Sequence, residues 1–217
     1  MTPASPVVPK IHLERKRSTS RRMSEAEFDE YIKTLDETAW VEWVDGEVIM
    51  APPASAKHVR LVRFTLTVLT VFVESHENLG EVLGPEMQIR HPNLSRRRVP
   101  DLLFIAQSRL GIIQHAYVDG APDLAVEIVS PDSVVRDWRD KYLEYEAAGV
   151  REYWVIDPTS EKVEAYTLNA QQRYERIPAK KGAIHSTVLK GFYLKPKWLW
   201  QDPLPNPLHI LRELGVE

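Results

Sequence analysis

One segment constrains this chain more than any other. In PDLAVEIVS at 122–130, the stretch LAVEIV is an apolar run interrupted by one acid, Glu127. Such a run suits a strand buried on both faces. Ser130-Pro131 follows as a helix start, because proline is tolerated in a first turn. The helix is expected to reach Ala148 and stop at Gly149, a residue that suits a left-handed cap. REYWVID at 151–157 then reads as a second strand, broken by Pro158. Strand, helix and strand in that order form a βαβ-type unit, which commits the chain to a sheet with a helix on its face.

The flanking sequence adds elements of both kinds. Ser24 and Glu27 form a capping box, and Phe28, Ile32 and Leu35 continue a helix to about Asp36. Two β-prone runs in VEWVDGEVIMA, 41–51, flank Asp45-Gly46, a dipeptide that turns a tight hairpin. From Ser55 to about His76, Val59, Val62, Leu66, Leu69 and Val73 recur at helical spacing, and the apolar face is broad enough to require burial on more than one side. EVLGPEMQIR is a strand region, HPNLSRRR a loop and VPDLLFIA at 99–106 a strand; 107–121 reads as an irregular connection. KVEAYTL, RYERIPA and 183–189 supply further strands, and a short helix can follow the prolines at 203, 205 and 207. The fold class is therefore α/β (α+β mixed), with a mixed sheet flanked by helices. We expect a disordered basic tail over 1–22, one domain over 23–200 and a proline-rich C-terminal extension over 201–217.

Charge and composition exclude several functions. The 217 residues carry a net charge of −3, yet 1–22 hold six basic residues against one acid, net +5, so the remainder carries −8. So acidic a domain is no general polyanion binder; contact with nucleic acid requires a local basic patch or the tail. There is no cysteine, which removes disulfides, thiolate zinc sites, iron–sulfur clusters and a cysteine nucleophile, and suits a reducing compartment such as the cytoplasm. No run is apolar and long enough to span a membrane, and the N-terminus lacks the apolar stretch of a secretory signal.

Three acids sit where structure alone would prefer another residue. Glu42 lies between hydrophobes in WVEWV, Asp101 follows Pro100 at the head of an apolar strand, and Glu127 interrupts LAVEIV. Burying an ionised carboxylate costs several kcal/mol on the order of magnitude unless it is paired or bound to a metal. A salt bridge, an edge strand or a protonated carboxyl explains any one of them alone. Together they point to a divalent cation: magnesium takes hard oxygen ligands, and often only one or two carboxylates hold it. Zinc is disfavoured, since the seven histidines show no ligand spacing. Asp137 and Lys141 lie four apart on one helix face, either as a surface ion pair or with Lys141 turned toward the carboxylates as a charge-stabilising ammonium. Arg96, Arg97 and Arg98 are the best basic patch outside the tail, either a solvated loop or a guide for a phosphate backbone. Tyr153 and Trp154 read as core, whereas Trp198 and Trp200 read as cover for an exposed face or a subunit contact.

VEWVDGEV, PPASAKH at 52–58, VPD at 99–101, PDLAVEIVSPDS at 122–133, the Asp137–Lys141 pair and YEAAGVREYWVIDP at 145–158 stand in an order that resembles the Uma-type putative restriction endonuclease family. That family belongs to the PD-(D/E)xK nuclease superfamily, and the resemblance covers about residues 24–200. It implies a restriction-endonuclease-like core and a Mg²⁺- or Mn²⁺-dependent endonuclease acting on DNA. Asp101 resembles the aspartate of the PD motif, Glu127 the second acid and Glu42 the acid that precedes the core motif, usually on a helix but here in a strand. The superfamily's usual lysine position holds Val129, and the resemblance implies that Lys141 from the following helix replaces it. His58 matches a histidine of the family pattern and would orient a phosphate or water, or bond backbone. The alternative function is a catalytically inactive nuclease fold that serves binding or assembly. A homodimer is the expected state, since restriction-like domains often pair to cut two strands.

Overall fold

The computed structural model describes residues 22–35, 41–50, 54–130 and 136–216, so the basic tail expected over 1–22 lies outside the described residues except for Arg22. Local chemistry accounts for the first elements. Helix α1 (Glu25–Ile32) begins at the capping box, with the Ser24 hydroxyl accepting from the Glu27 N–H and the Glu27 carboxylate accepting from the Ser24 N–H. Strands β1 (Val41–Val44) and β2 (Glu47–Met50) form the expected hairpin, and Asp45 and Gly46 take the positive φ that this turn requires. Helix α2 (Ala56–Glu74) is capped by Ser55 and buries Leu61, Val62, Phe64, Val68, Leu69, Phe72 and Val73.

The centre of the chain holds more strands than its sequence suggests. EVLGPEMQIR divides into β3 (Gly80–Leu83) and β4 (Gln88–His91). The expected loop HPNLSRRR instead contains β5 (Arg96–Arg98), paired with both β1 and β4. Three arginines have little reason to form a strand by propensity; tertiary ion pairs hold them there, as described below. Strand β6 (Leu102–Ala106) follows, then a 3₁₀ turn over 107–112 and β7 (Tyr117–Asp119) within the irregular connection. The βαβ unit is realised as β8 (Leu124–Ile128), a π-helical turn over 136–140 running into α3 (Lys141–Ala148), and β9 (Glu152–Asp157), parallel to β8. The start expected for this helix at 131–135 lies outside the described residues. Gly149 closes α3 with φ 86°. Strands β10 (Lys162–Leu168), β11 (Tyr174–Arg176), β12 (Ile184–His185) and β13 (Tyr193–Leu194), then helix α4 (Pro207–Glu213), complete the chain.

A six-stranded mixed sheet, ordered β11-β10-β9-β8-β6-β3, forms the central layer, and a five-stranded sheet, ordered β2-β1-β5-β4-β7, lies beside it. Alternation along β6 and β8 gives the central sheet two apolar faces. Leu102, Phe104, Leu124, Val126 and Ile128 pack with α2 in one cluster; Leu103, Ile105, Ala125 and Val129 pack with Ile89, Tyr145 and Tyr153 in another. Ile210, Leu211, Leu214 and Val216 join the first cluster together with Trp198, so the C-terminal segment expected as an extension contributes to the main core. Tyr153 and Trp154 are core, as expected.

Candidate functional site

The antiparallel register of β6 and β8 sets Leu102 opposite Val126, and continuing it by one pair sets Asp101 opposite Glu127. By alternation both acids project with Leu103 and Ala125, toward the face that α3 covers. Lys141, the first residue of α3, reaches into this position: its Nζ lies 2.8 Å from Glu127 Oε2, 3.3 Å from Glu42 Oε1 and 3.5 Å from Asp137 Oδ1. The surface-pair alternative fails, because Lys141 is only 4% exposed. Glu42 arrives from β1 of the second sheet, so the site joins both sheets to α3.

Each acid has fixed partners. Asp101 accepts from the Ile128 N–H at 2.6 Å and lies 3.0 Å from His58 Nε2. Glu127 accepts from the Tyr145 hydroxyl at 2.8 Å. Glu42 accepts from Arg98 Nη1 at 2.8 Å and from the Val99 N–H at 3.2 Å. Arg98 in turn donates twice to Glu144, both at 2.7 Å. The Tyr153 hydroxyl donates to the Asp137 carbonyl at 2.7 Å, tying the π-helical turn to β9.

The electrostatics follow from sharing one ammonium among three buried carboxylates. Burial pushes the Glu127 carboxyl up to about 8 against the pull of Lys141, and the charges of Asp137 and Asp101 add to the rise. For Glu42 burial acts in the same direction, but Lys141 and Arg98 overcome it and hold the carboxyl down at about 2. Burial disfavours the Lys141 ammonium, yet Glu127, Glu42 and Asp137 hold its pKa above the usual lysine range. Burial likewise opposes the His58 imidazolium, and the bond to Asp101 outweighs it and raises the pKa. Glu127 is therefore the carboxyl at which a proton or an added cation is most favoured.

The donor chemistry there fits a hard divalent cation. Each oxygen of Asp101 and Glu127 has one partner, and an ionised carboxylate offers about four lone-pair sites. Two such acids are sufficient for an ion that keeps several waters. Among the described residues, no group of three or more Asp, Glu or His side chains is arranged to hold a metal ion together. Both Glu42 oxygens, expected to join such a group, are instead engaged by Arg98, Val99 and Lys141.

The arginine triplet requires a correction. Both readings of it, a solvated loop and a guide for phosphates, require exposed side chains, but Arg97 and Arg98 are each 2% exposed. Arg97 pairs with Glu25 and Asp29, Arg98 with Glu42 and Glu144, and Arg96 with Asp45 and Glu144. Buried guanidinium groups must be matched by carboxylates, so this charge is spent inside the fold. Sequence reasoning missed Glu144 and Tyr145. The available signal was their spacing, three and four residues after Lys141, which sets them on its side of α3.

The fold is similar to that of the crystal structure of a "putative nuclease belonging to DUF820" from Anabaena variabilis, with a TM-score of 0.65 and 22% identity over 79% of this chain and 96% of that one. No curated protein matches the chain. The family Uma2, described as "Putative restriction endonuclease", matches residues 26–196. That span contains Glu42, His58, Asp101, Glu127 and Lys141 and covers most of the ordered elements, and the chain belongs to the Uma2 family.

Proposed function

We propose that the protein is a divalent-metal-dependent endonuclease that hydrolyses phosphodiester bonds in DNA. One observation carries this reading: Asp101 and Glu127 face each other on neighbouring buried strands, with Lys141 at 2.8 Å from Glu127. Asp101 and Glu127 would hold Mg²⁺ or Mn²⁺, which when bound would stabilise charge on the phosphate and lower the pKa of a bound water. The protein's own groups have separate tasks. Glu42 and Asp137 anchor Lys141, whose fixed positive charge stabilises negative charge developing beside the acids. His58 orients Asp101, and Tyr145 orients Glu127. A cytoplasmic DNA substrate and a homodimer that brings one site to each strand complete the reading. Purified protein should cut a panel of duplex DNAs in Mg²⁺ or Mn²⁺. Activity that survives Asp101→Ala combined with Glu127→Ala would end the proposal.

A second reading, a nuclease fold kept for binding or assembly, draws support from Lys141 itself. Its ammonium already serves as counter-ion inside the acid cluster, as a cation would. Calorimetric titration of Mn²⁺ into wild type and the double variant separates the two: heat in the wild type alone supports the enzyme, and no heat in either supports the module.

A further inference from the structure

With Arg97 and Arg98 buried, the cationic surface lies elsewhere. Helix α2 presents Lys57, Arg60 and Arg63 at three-residue steps, all exposed. Among the described residues, neither Arg60 nor Arg63 has a carboxylate within ion-pair distance. The Lys57 ammonium donates to the Pro158 carbonyl at 2.7 Å, a neutral acceptor just beyond the end of β9, so its charge also stays uncompensated. All three line a groove of about 1020 Å³, together with Trp200, Gln201 and Asn206 from the C-terminal segment. Glu161 and Asp202 also line it and offset part of the charge.

Position gives this groove its meaning. It begins in the first turn of α2, at Lys57, and the next residue, His58, holds Asp101 at 3.0 Å. From Lys57 to Arg63 the helix rises about 9 Å at ~1.5 Å per residue. One strand of duplex DNA carries a phosphate per ~3.4 Å of axis and winds around that axis, so the stripe spans about two. The half-buried Trp200 ring supplies an apolar surface against sugar or base. We propose that this groove, which lies on the α2 face of the central sheet and adjoins the acids only at its Lys57 end, binds the sugar–phosphate backbone of DNA flanking the scissile bond, with Lys57, Arg60 and Arg63 as its phosphate contacts. The inference deepens the nuclease reading and rests on it for the choice of ligand.

The test reads binding apart from cleavage. Fluorescence anisotropy of a labelled duplex, without divalent metal, compares wild type, Arg60→Ala/Arg63→Ala and a charge-matched control, Lys180→Ala/Lys190→Ala, whose two lysines are exposed outside the groove. Loss of two phosphate contacts should lower the slope of log affinity against log salt by about 2 and weaken binding at least ~10-fold in about 50 mM salt. The control should match wild type. In cleavage assays KM should rise while kcat holds. An arginine variant indistinguishable from the control overturns the groove, even if the protein cuts DNA; so does wild type that fails to bind DNA. Wild type that binds through the two arginines but never cuts sustains the groove and removes the nuclease reading.

Discussion

Both ends of β8 bury acids, and they handle them in opposite ways. At the N-terminal end Asp123 is fully buried, with Arg109 Nη1 at 2.9 Å, Arg151 Nη1 at 3.0 Å and the Ala106 N–H at 2.9 Å. Beside it on β9, Glu152 accepts from the Trp154 indole, the Thr187 N–H and hydroxyl, and the Val188 N–H. Every charge there is matched by cations or by a full set of donors. At the C-terminal end Lys141 lies within 3.5 Å of Glu127, Glu42 and Asp137, Glu42 also accepts from Arg98, and Asp101 has a histidine and one N–H. Burial alone therefore does not mark a functional acid. A buried carboxyl that its surroundings push toward the protonated form, as at Glu127, is the better candidate.

The largest expected effect comes from neutralising acids at the C-terminal end. Asp101→Asn with Glu127→Gln should reduce DNA cleavage by on the order of 10³-fold and leave the thermal midpoint unchanged or higher, since the change relieves repulsion. A fall in stability together with activity would erase the contrast between the two ends. Glu152→Ala is the converse experiment. It leaves the Trp154 indole and the Thr187 N–H without an acceptor, while the Val188 N–H keeps Ser186 and the Thr187 hydroxyl keeps Thr167, and should cost about 3 kcal/mol in urea unfolding, with the kcat of the folded fraction unchanged.

A third effect, of similar or slightly smaller size, belongs to neither end. His91 is buried against the Tyr145 ring, and burial lowers its pKa to about 4, with Arg98 and Arg96 adding to the fall against the opposing pull of Glu144. The folded state thus keeps this imidazole neutral while the unfolded chain protonates it near 6.5. Stability present above that pH is lost as pH falls toward 4, up to about 3 kcal/mol in all. Unfolding free energies across this range should show the loss, and His91→Phe should flatten it. The smallest change expected is that of Tyr145→Phe. Losing one hydrogen bond to Glu127 should lower kcat about tenfold and leave KM for DNA unaltered, which steady-state kinetics on a plasmid substrate would reveal.

Particular residues show how far the chain could be read in advance. Glu42, Asp101 and Glu127 stood out because each breaks an apolar strand pattern, and the i,i+4 spacing of Asp137 and Lys141 hinted at the direction of the ammonium. The same reasoning passed over Asp123 and Glu152, which are buried as deeply. An acid at a strand's head looks ordinary in sequence, and its donors, Arg109, Arg151 and Thr187, come from elsewhere in the chain. Arg96 to Arg98 misled for a related reason: a run of like charge reads as surface until its counter-charges are located.

By itself the sequence determined the capping box of α1, the run of α2, the Asp45-Gly46 hairpin and the β8–α3–β9 unit, because caps, turns and periodicity depend on neighbours only a few residues away. Only the tertiary structure decided which charges meet. It drew Arg97 and Arg98 inward, left Arg60 and Arg63 in the open, and gathered Glu42, Asp101, Glu127 and Lys141 from two sheets and a helix. Coulomb energy depends on separation in space and on burial, and neither is written in the spacing along the chain.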